Sequence, residues 1–155
     1  MADGQGGVRV LGMEELSKLS LEQIRQVKEQ VDAELNLLQD SLTNIRTAAN
    51  RFEMAAKALN TLSQQPAGKK LLVPLTASLY VPGKLENTGK VLVDVGTGYY
   101  IEKTLPDGKD YCDRKINFLK ENHDKLVEVA AEKRNASEQV TMLVQKKLQQ
   151  SLPAK

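Results

Sequence analysis

The sequence predicts a mainly helical α+β fold: a long antiparallel two-helix coiled coil joined by short β-hairpins. Three features carry this reading. Apolar residues recur every seven positions from Ser20 to Ser63, and again from Asp107 to Gln150. Between these stretches the apolar period falls from seven to two, the alternation of a β-strand. The two heptad stretches are equal in length, as the arms of a hairpin would be.

The chain of 155 residues has the size of one domain. The expected division is a disordered tail over 1–12 and a single domain over 13–155. Within the domain, a coiled-coil helix covers 13–65, a β-hairpin linker 71–105, and a second coiled-coil helix 107–150. Residues 1–12 are rich in Gly and lack periodicity, which suits a tail.

The first helix opens on Ser20-Leu21-Glu22-Gln23, the spacing of a capping box. Ile24, Val31, Leu38, Ile45, Phe52 and Leu59 form one heptad row; Leu21, Lys28, Leu35, Leu42, Ala49 and Ala56 form the other. No Gly or Pro interrupts them, and Gln65-Pro66-Ala67-Gly68 ends the run. At 1.5 Å per residue such a helix extends roughly 66 Å.

In the linker, Leu71, Val73, Leu75, Ala77, Leu79 and Val81 alternate with residues that are mostly not apolar, as in one strand that Pro74 and Pro82 confine to an edge or interrupt. Val91 to Val95 and Tyr99 to Lys103 read as further strands around a Gly96-Thr97-Gly98 turn, giving three or four in all. Pro106-Asp107-Gly108 then marks a turn, and Asp107 or Asp110 is placed to cap the second helix. Its rows are Cys112, Leu119, Leu126, Lys133, Val140, Lys147 and Ile116, His123, Ala130, Ser137, Val144. If the helices fold back on each other, residues whose numbers add to about 171 lie level. Phe52 then faces Leu119, and Val31 faces Val140.

A two-helix hairpin has few ways to bury a small sheet. Val73, Leu75, Leu79, Val81, Val91, Val93 and Val95, with Tyr99 and Ile101, are therefore expected to form a subunit interface. The alternative is that the sheet folds onto its own helices. At the open end of the hairpin, Lys28, Lys147 and Ser137 interrupt the seam and weaken pairing. Leu16, Leu19, Leu21, Ile24, Val140, Met142, Leu143, Val144 and Leu148 gather there and are candidates for an adaptable apolar binding surface. The alternative is ordinary core residues at fraying helix ends.

Other functions find little support. Lys and Arg number 22 against 20 Asp and Glu, with alternating signs and 4% aromatic residues, so no nucleic acid partner is expected. No apolar run reaches the ~20 residues of a membrane span, and no apolar leader core opens the sequence, so no membrane partner is expected. One cysteine, Cys112, cannot close an internal disulfide and suits a reducing compartment. Asn135-Ala136-Ser137 matches a glycosylation sequon by chance on this reading. Asp94-Val95-Gly96-Thr97-Gly98 has the letters of a sugar-kinase phosphate loop but is better read as a hairpin turn. Lys103-Thr104 lacks the glycines of a P-loop, with Thr97 and Glu102 in their places. His123, the only histidine, has no nucleophile or carboxylate pair converging on it. No enzyme activity, cofactor or metal ion is expected.

The run from Gly68-Lys69-Lys70-Leu71-Leu72-Val73-Pro74 through Tyr80-Val81-Pro82-Gly83-Lys84, with Val91-Leu92-Val93-Asp94-Val95-Gly96-Thr97-Gly98-Tyr99-Tyr100-Ile101-Glu102-Lys103, closely resembles the linker of α-class prefoldin subunits of eukaryotes. The likeness extends over roughly residues 18–150, helices included. The resemblance implies an intersubunit β-barrel built from the hairpins. It implies a hexamer of two α-class and four β-class subunits. It also implies capture of unfolded proteins, such as actin and tubulin, at the coiled-coil tips and their delivery to the cytosolic chaperonin without nucleotide hydrolysis. The location implied is the cytoplasm, with the nucleus as a second possibility to test. A coiled-coil adaptor that binds folded proteins, nuclear factors included, is the alternative function.

Overall fold

The structure, a computed structural model, describes residues 12–151, apart from the Met13 side chain. The tail expected over 1–12 falls outside the described residues, Gly12 excepted. The element order is α1 (Met13–Lys18), α2 (Leu21–Ser63), β1 (Lys70–Pro74), β2 (Tyr80–Lys84), β3 (Lys90–Gly96), β4 (Tyr99–Thr104) and α3 (Leu105–Ser151). The chain divides into two compact units. A terminal unit combines the chain up to Asn44 with the chain from His123 onward, and a linker unit spans Ile45–Asn122.

In the terminal unit the capping box at the start of α2 is complete. Ser20 Oγ accepts from the Gln23 N–H at 3.2 Å, and Gln23 Oε1 accepts from the Ser20 N–H at 3.0 Å. Both bonds satisfy donors that the first helical turn leaves without partners. The helix does not continue backward through the expected 13–20 segment. Leu19 is extended (φ −73°, ψ 152°), and α1 is a separate six-residue piece.

In the linker unit, α2 frays through Gln64 N–H to Thr61 O and Gln65 N–H to Leu62 O. Gly68 then turns the chain with φ +82°, a left-handed value that only glycine adopts at little cost. β1 and β2 pair antiparallel, with Val73 opposite Val81 and Leu71 opposite Gly83. The single interrupted strand expected over 71–81 is thus a hairpin. Pro74 lacks an N–H and ends the ladder at its pairing with Tyr80. Residues 75–79 form the loop, closed by Leu75 N–H to Leu79 O at 2.8 Å.

β3 and β4 form a second, separate hairpin with Val93 opposite Ile101. A bulge between Asp94 and Gly96 leaves Val95 without an opposite residue. The Gly96 N–H donates to Asp94 Oδ1 at 2.9 Å, so Asp94 serves the turn, in keeping with the hairpin reading of this motif.

The second long helix begins earlier than expected. Thr104 is its cap, Oγ1 accepting from the Asp107 N–H at 3.3 Å, in place of the expected Asp107 or Asp110. Pro106 fits in the first turn, where its missing N–H is not needed. Gly108 lies inside this turn because a Cβ there would come within 3.3 Å of Val91 Cγ2 and 3.4 Å of Leu59 Cδ1. The position therefore joins α2, α3 and β3 closely. Alanine would gain about 1 kcal/mol of helix propensity, which offsets a few tenths of an ångström of crowding. Gly108→Ala should be near neutral in urea unfolding. Gly108→Val, with two further methyl groups, should cost about 1–3 kcal/mol as an overpacked contact.

Candidate functional site

The terminal unit holds an apolar cluster of Leu16, Ile24 and Val140, which are 4%, 0% and 2% exposed. Leu19, Val27, Leu143 and Val144 pack half-buried around it. Of the candidate binding residues, three therefore form a closed core. Leu19, Leu143 and Val144 line it, Leu21 is half-buried, and Met142 and Leu148 are exposed. The heptad pattern does not single out Val27, which stands one place before the seam residue Lys28. Its only sequence signal is an apolar side chain one helical turn from Ile24 and Val31.

The charged seam positions of this unit all find partners. Lys133 Nζ donates to Glu34 Oε2 at 2.5 Å, and the Ser137 hydroxyl to Asp32 Oδ1 at 2.6 Å. Lys28 pairs with Asp32 within its own helix, and the Lys147 ammonium donates to the Leu19 carbonyl. Expected pairing levels Lys133 with Leu38; its flexible stem reaches instead to Glu34, one turn away. The polar bonds offset the loosening that charged seam positions alone would produce.

Asp32 is held below the usual carboxylate range, first by the bond from Lys28 and then by that from Ser137, with burial opposing both. Folded Asp32 thus binds its proton more weakly than in the unfolded chain. Its contribution is fully present above the unfolded value, near 3.8, and fades as acid carries the pH through the lower folded value. Asp32→Asn should lower stability at pH 6, and the loss should shrink as the pH falls below the unfolded value; urea titrations across that range measure both. Ile24→Ala removes the most buried side chain and should cost about 2–5 kcal/mol in the same assay.

The linker unit presents a different surface. Among the expected interface residues, Val73, Leu75, Leu79, Val81, Val95, Tyr99 and Ile101 are exposed. Val91 and Val93 are half-buried, and both border a hollow lined by Phe52, Leu59, Leu62, Tyr111 and Cys112. Part of the sheet thus meets its own helices. Sequence alternation misses Leu72, Tyr80, Leu92 and Tyr100, which lie on the opposite faces and are also exposed, Leu92 by 69%. The available signal was the unbroken apolar runs Leu71-Leu72-Val73 and Val91-Leu92-Val93, a pattern of strands covered on both faces.

Catalytic chemistry finds no such concentration. Cys112 is buried, and its thiol is pushed up by that burial and then by the charge of Asp113, which keeps it protonated and unreactive. His123 lies 3.4 Å from Asp124. Among the described residues no group of three or more His, Cys, Asp or Glu side chains is placed to hold a metal ion. Among them too, no helix is long and apolar enough to cross a membrane.

Long paired helices linked by two hairpins with apolar outer faces define a subunit built for assembly. The model of the prefoldin subunit family matches residues 31–150. Prefoldin subunit 5 of Arabidopsis thaliana is 60% identical over 136 residues, spanning 88% of this chain and 90% of that protein. Prefoldin subunit 5 of Homo sapiens is 41% identical over 135 residues, spanning 87% and 88%. A chain in the structure of filamentous prefoldin from Methanocaldococcus jannaschii shares the fold, with a TM-score of 0.66 at 21% identity over 76% of this chain and 97% of that one. The chain belongs to the prefoldin subunit family, a family of chaperone subunits rather than enzymes.

Proposed function

We propose that this chain is an α-class subunit of a hexamer with two α-class and four β-class members. In this reading the hairpins of neighbouring subunits join into a β-barrel. The coiled-coil tips capture unfolded proteins, actin and tubulin among them, and pass them to the cytosolic chaperonin without nucleotide hydrolysis. The reading puts this work in the cytoplasm, with the nucleus as a second location to test. The observation that carries the proposal is the exposure of apolar side chains on both faces of both hairpins, from Leu72 to Ile101. Patches of this kind belong to interaction surfaces, and unpaired strand edges invite further strands.

Capture then rests on the terminal units of the assembled subunits, several weak apolar tips gripping one client, so that joint affinity exceeds any single contact. Native mass spectrometry of the chain co-expressed with β-class subunits should give the hexamer; a stable monomer under those conditions would refute the assembly. Changing Leu21, Val144 and Leu148 together to Ser should weaken capture of unfolded actin about tenfold, the equivalent of roughly 1.4 kcal/mol, with the hexamer intact. Undiminished capture by an intact hexamer would remove these residues from the binding surface. A preference for folded over unfolded ligands would point to the adaptor function instead.

A further inference from the structure

The short helix α1 is not needed to complete α2. The capping box of Ser20 and Gln23 already closes the start of the long helix, and the chain breaks away at Leu19. Six residues are too few to form a stable helix unaided, and the Gly12 cap supplies no side-chain bond. What holds α1 is tertiary. Leu16 fills an apolar socket against Ile24 and Val140, and the Lys147 ammonium from α3 grips the Leu19 carbonyl. Apart from Met13, the rest of α1 is polar, with Glu14, Glu15, Ser17 and Lys18 exposed. A leucine on a short, weakly structured, largely polar segment is the chemistry of an unfolded chain.

We infer that α1 is a displaceable lid. Its Leu16 occupies the socket that takes a leucine-like side chain of an unfolded protein, and Lys147 is the strap that keeps it shut. This inference rests on the capture reading above. A client must displace Leu16 to reach Ile24, Val140 and the half-buried Val27, Leu143 and Val144. Apparent affinity is then lowered by the fraction of molecules in which the lid is open. Binding and release become an exchange of one leucine for another, with little apolar surface exposed in between.

The test uses the assembled complex with the full chain, reduced carboxymethylated α-lactalbumin as the permanently unfolded probe, and an apolar dye, anilinonaphthalene sulfonate. Leu16→Ser empties the socket. Lys147→Met releases the strap while leaving every apolar group of the socket in place, and it serves if Leu16→Ser fails to assemble. Each variant should raise dye fluorescence and bind the probe about three- to tenfold more tightly, as expected when a mostly closed state is relieved. Unchanged dye binding in Lys147→Met would overturn the lid. So would capture by the wild-type complex with no gain in either variant. Raised dye fluorescence with no capture by any of the three complexes would uphold the lid and sink the capture reading alone.

Discussion

Two helices side by side can hide only the stripe each turns toward the other, and this limit governs the whole molecule. A globular domain surrounds its core with several layers; here every layer has a bare side. Ile24 is the one large side chain among the described residues that is essentially inaccessible. In the linker unit burial is confined to Gly108, Cys112 and Ile116, where the helices meet each other and β3. Such a chain spends little of its sequence on a core and most of it on surfaces.

Polar groups at the seam follow from the same limit. A narrow apolar stripe made of Leu, Val and Ala can slide by a turn at small cost, so register must come from elsewhere. Lys133 with Glu34 and Ser137 with Asp32 supply it across the helices of the terminal unit. Partly exposed ion pairs contribute little stability. A slipped register would break both cross-helix bonds at once, although Asp32 would keep its Lys28 partner within α2. Polar seam residues therefore specify one alignment, as single polar positions do in coiled coils generally.

The parts legible in the sequence were those set by local chemistry. The capping box at Ser20 and the hairpin turn at Gly96 are read from a few adjacent residues. The hairpin of β1 and β2 was harder because its parity is deceptive. Val73 and Val81 are paired across the sheet yet both odd-numbered, so alternation runs through the five-residue loop as though the strand continued. Only the missing N–H of Pro74 marks the reversal. The start of α3 lies two residues ahead of the expected one because Pro106 and Gly108 look like a turn. Proline is harmless at a helix's first turn, and Gly108 is there for closeness to Leu59 and Val91, a tertiary reason with no local signature. The burial of Leu16 was equally hidden, since a six-residue helix has no room for a heptad.

In the proposed assembly the exposed hairpins would tie folding to subunit contact. Covering one apolar side chain fully contributes about 1.5–3 kcal/mol, and an entire domain is typically stable by only about 5–15 kcal/mol. Leu72, Leu75, Tyr80, Leu92, Tyr99 and Tyr100 are each more than half exposed. Covering these six alone would match the stability of the fold. Partners that bind only the folded form add their binding free energy to that stability. If the proposed assembly covers these side chains, that addition is comparable to the typical stability of a whole domain. In the proposed assembly the hairpins would act as a shared core of which each subunit carries a fraction. The terminal unit, with its closed cluster and paired charges, is the part that a single chain can complete.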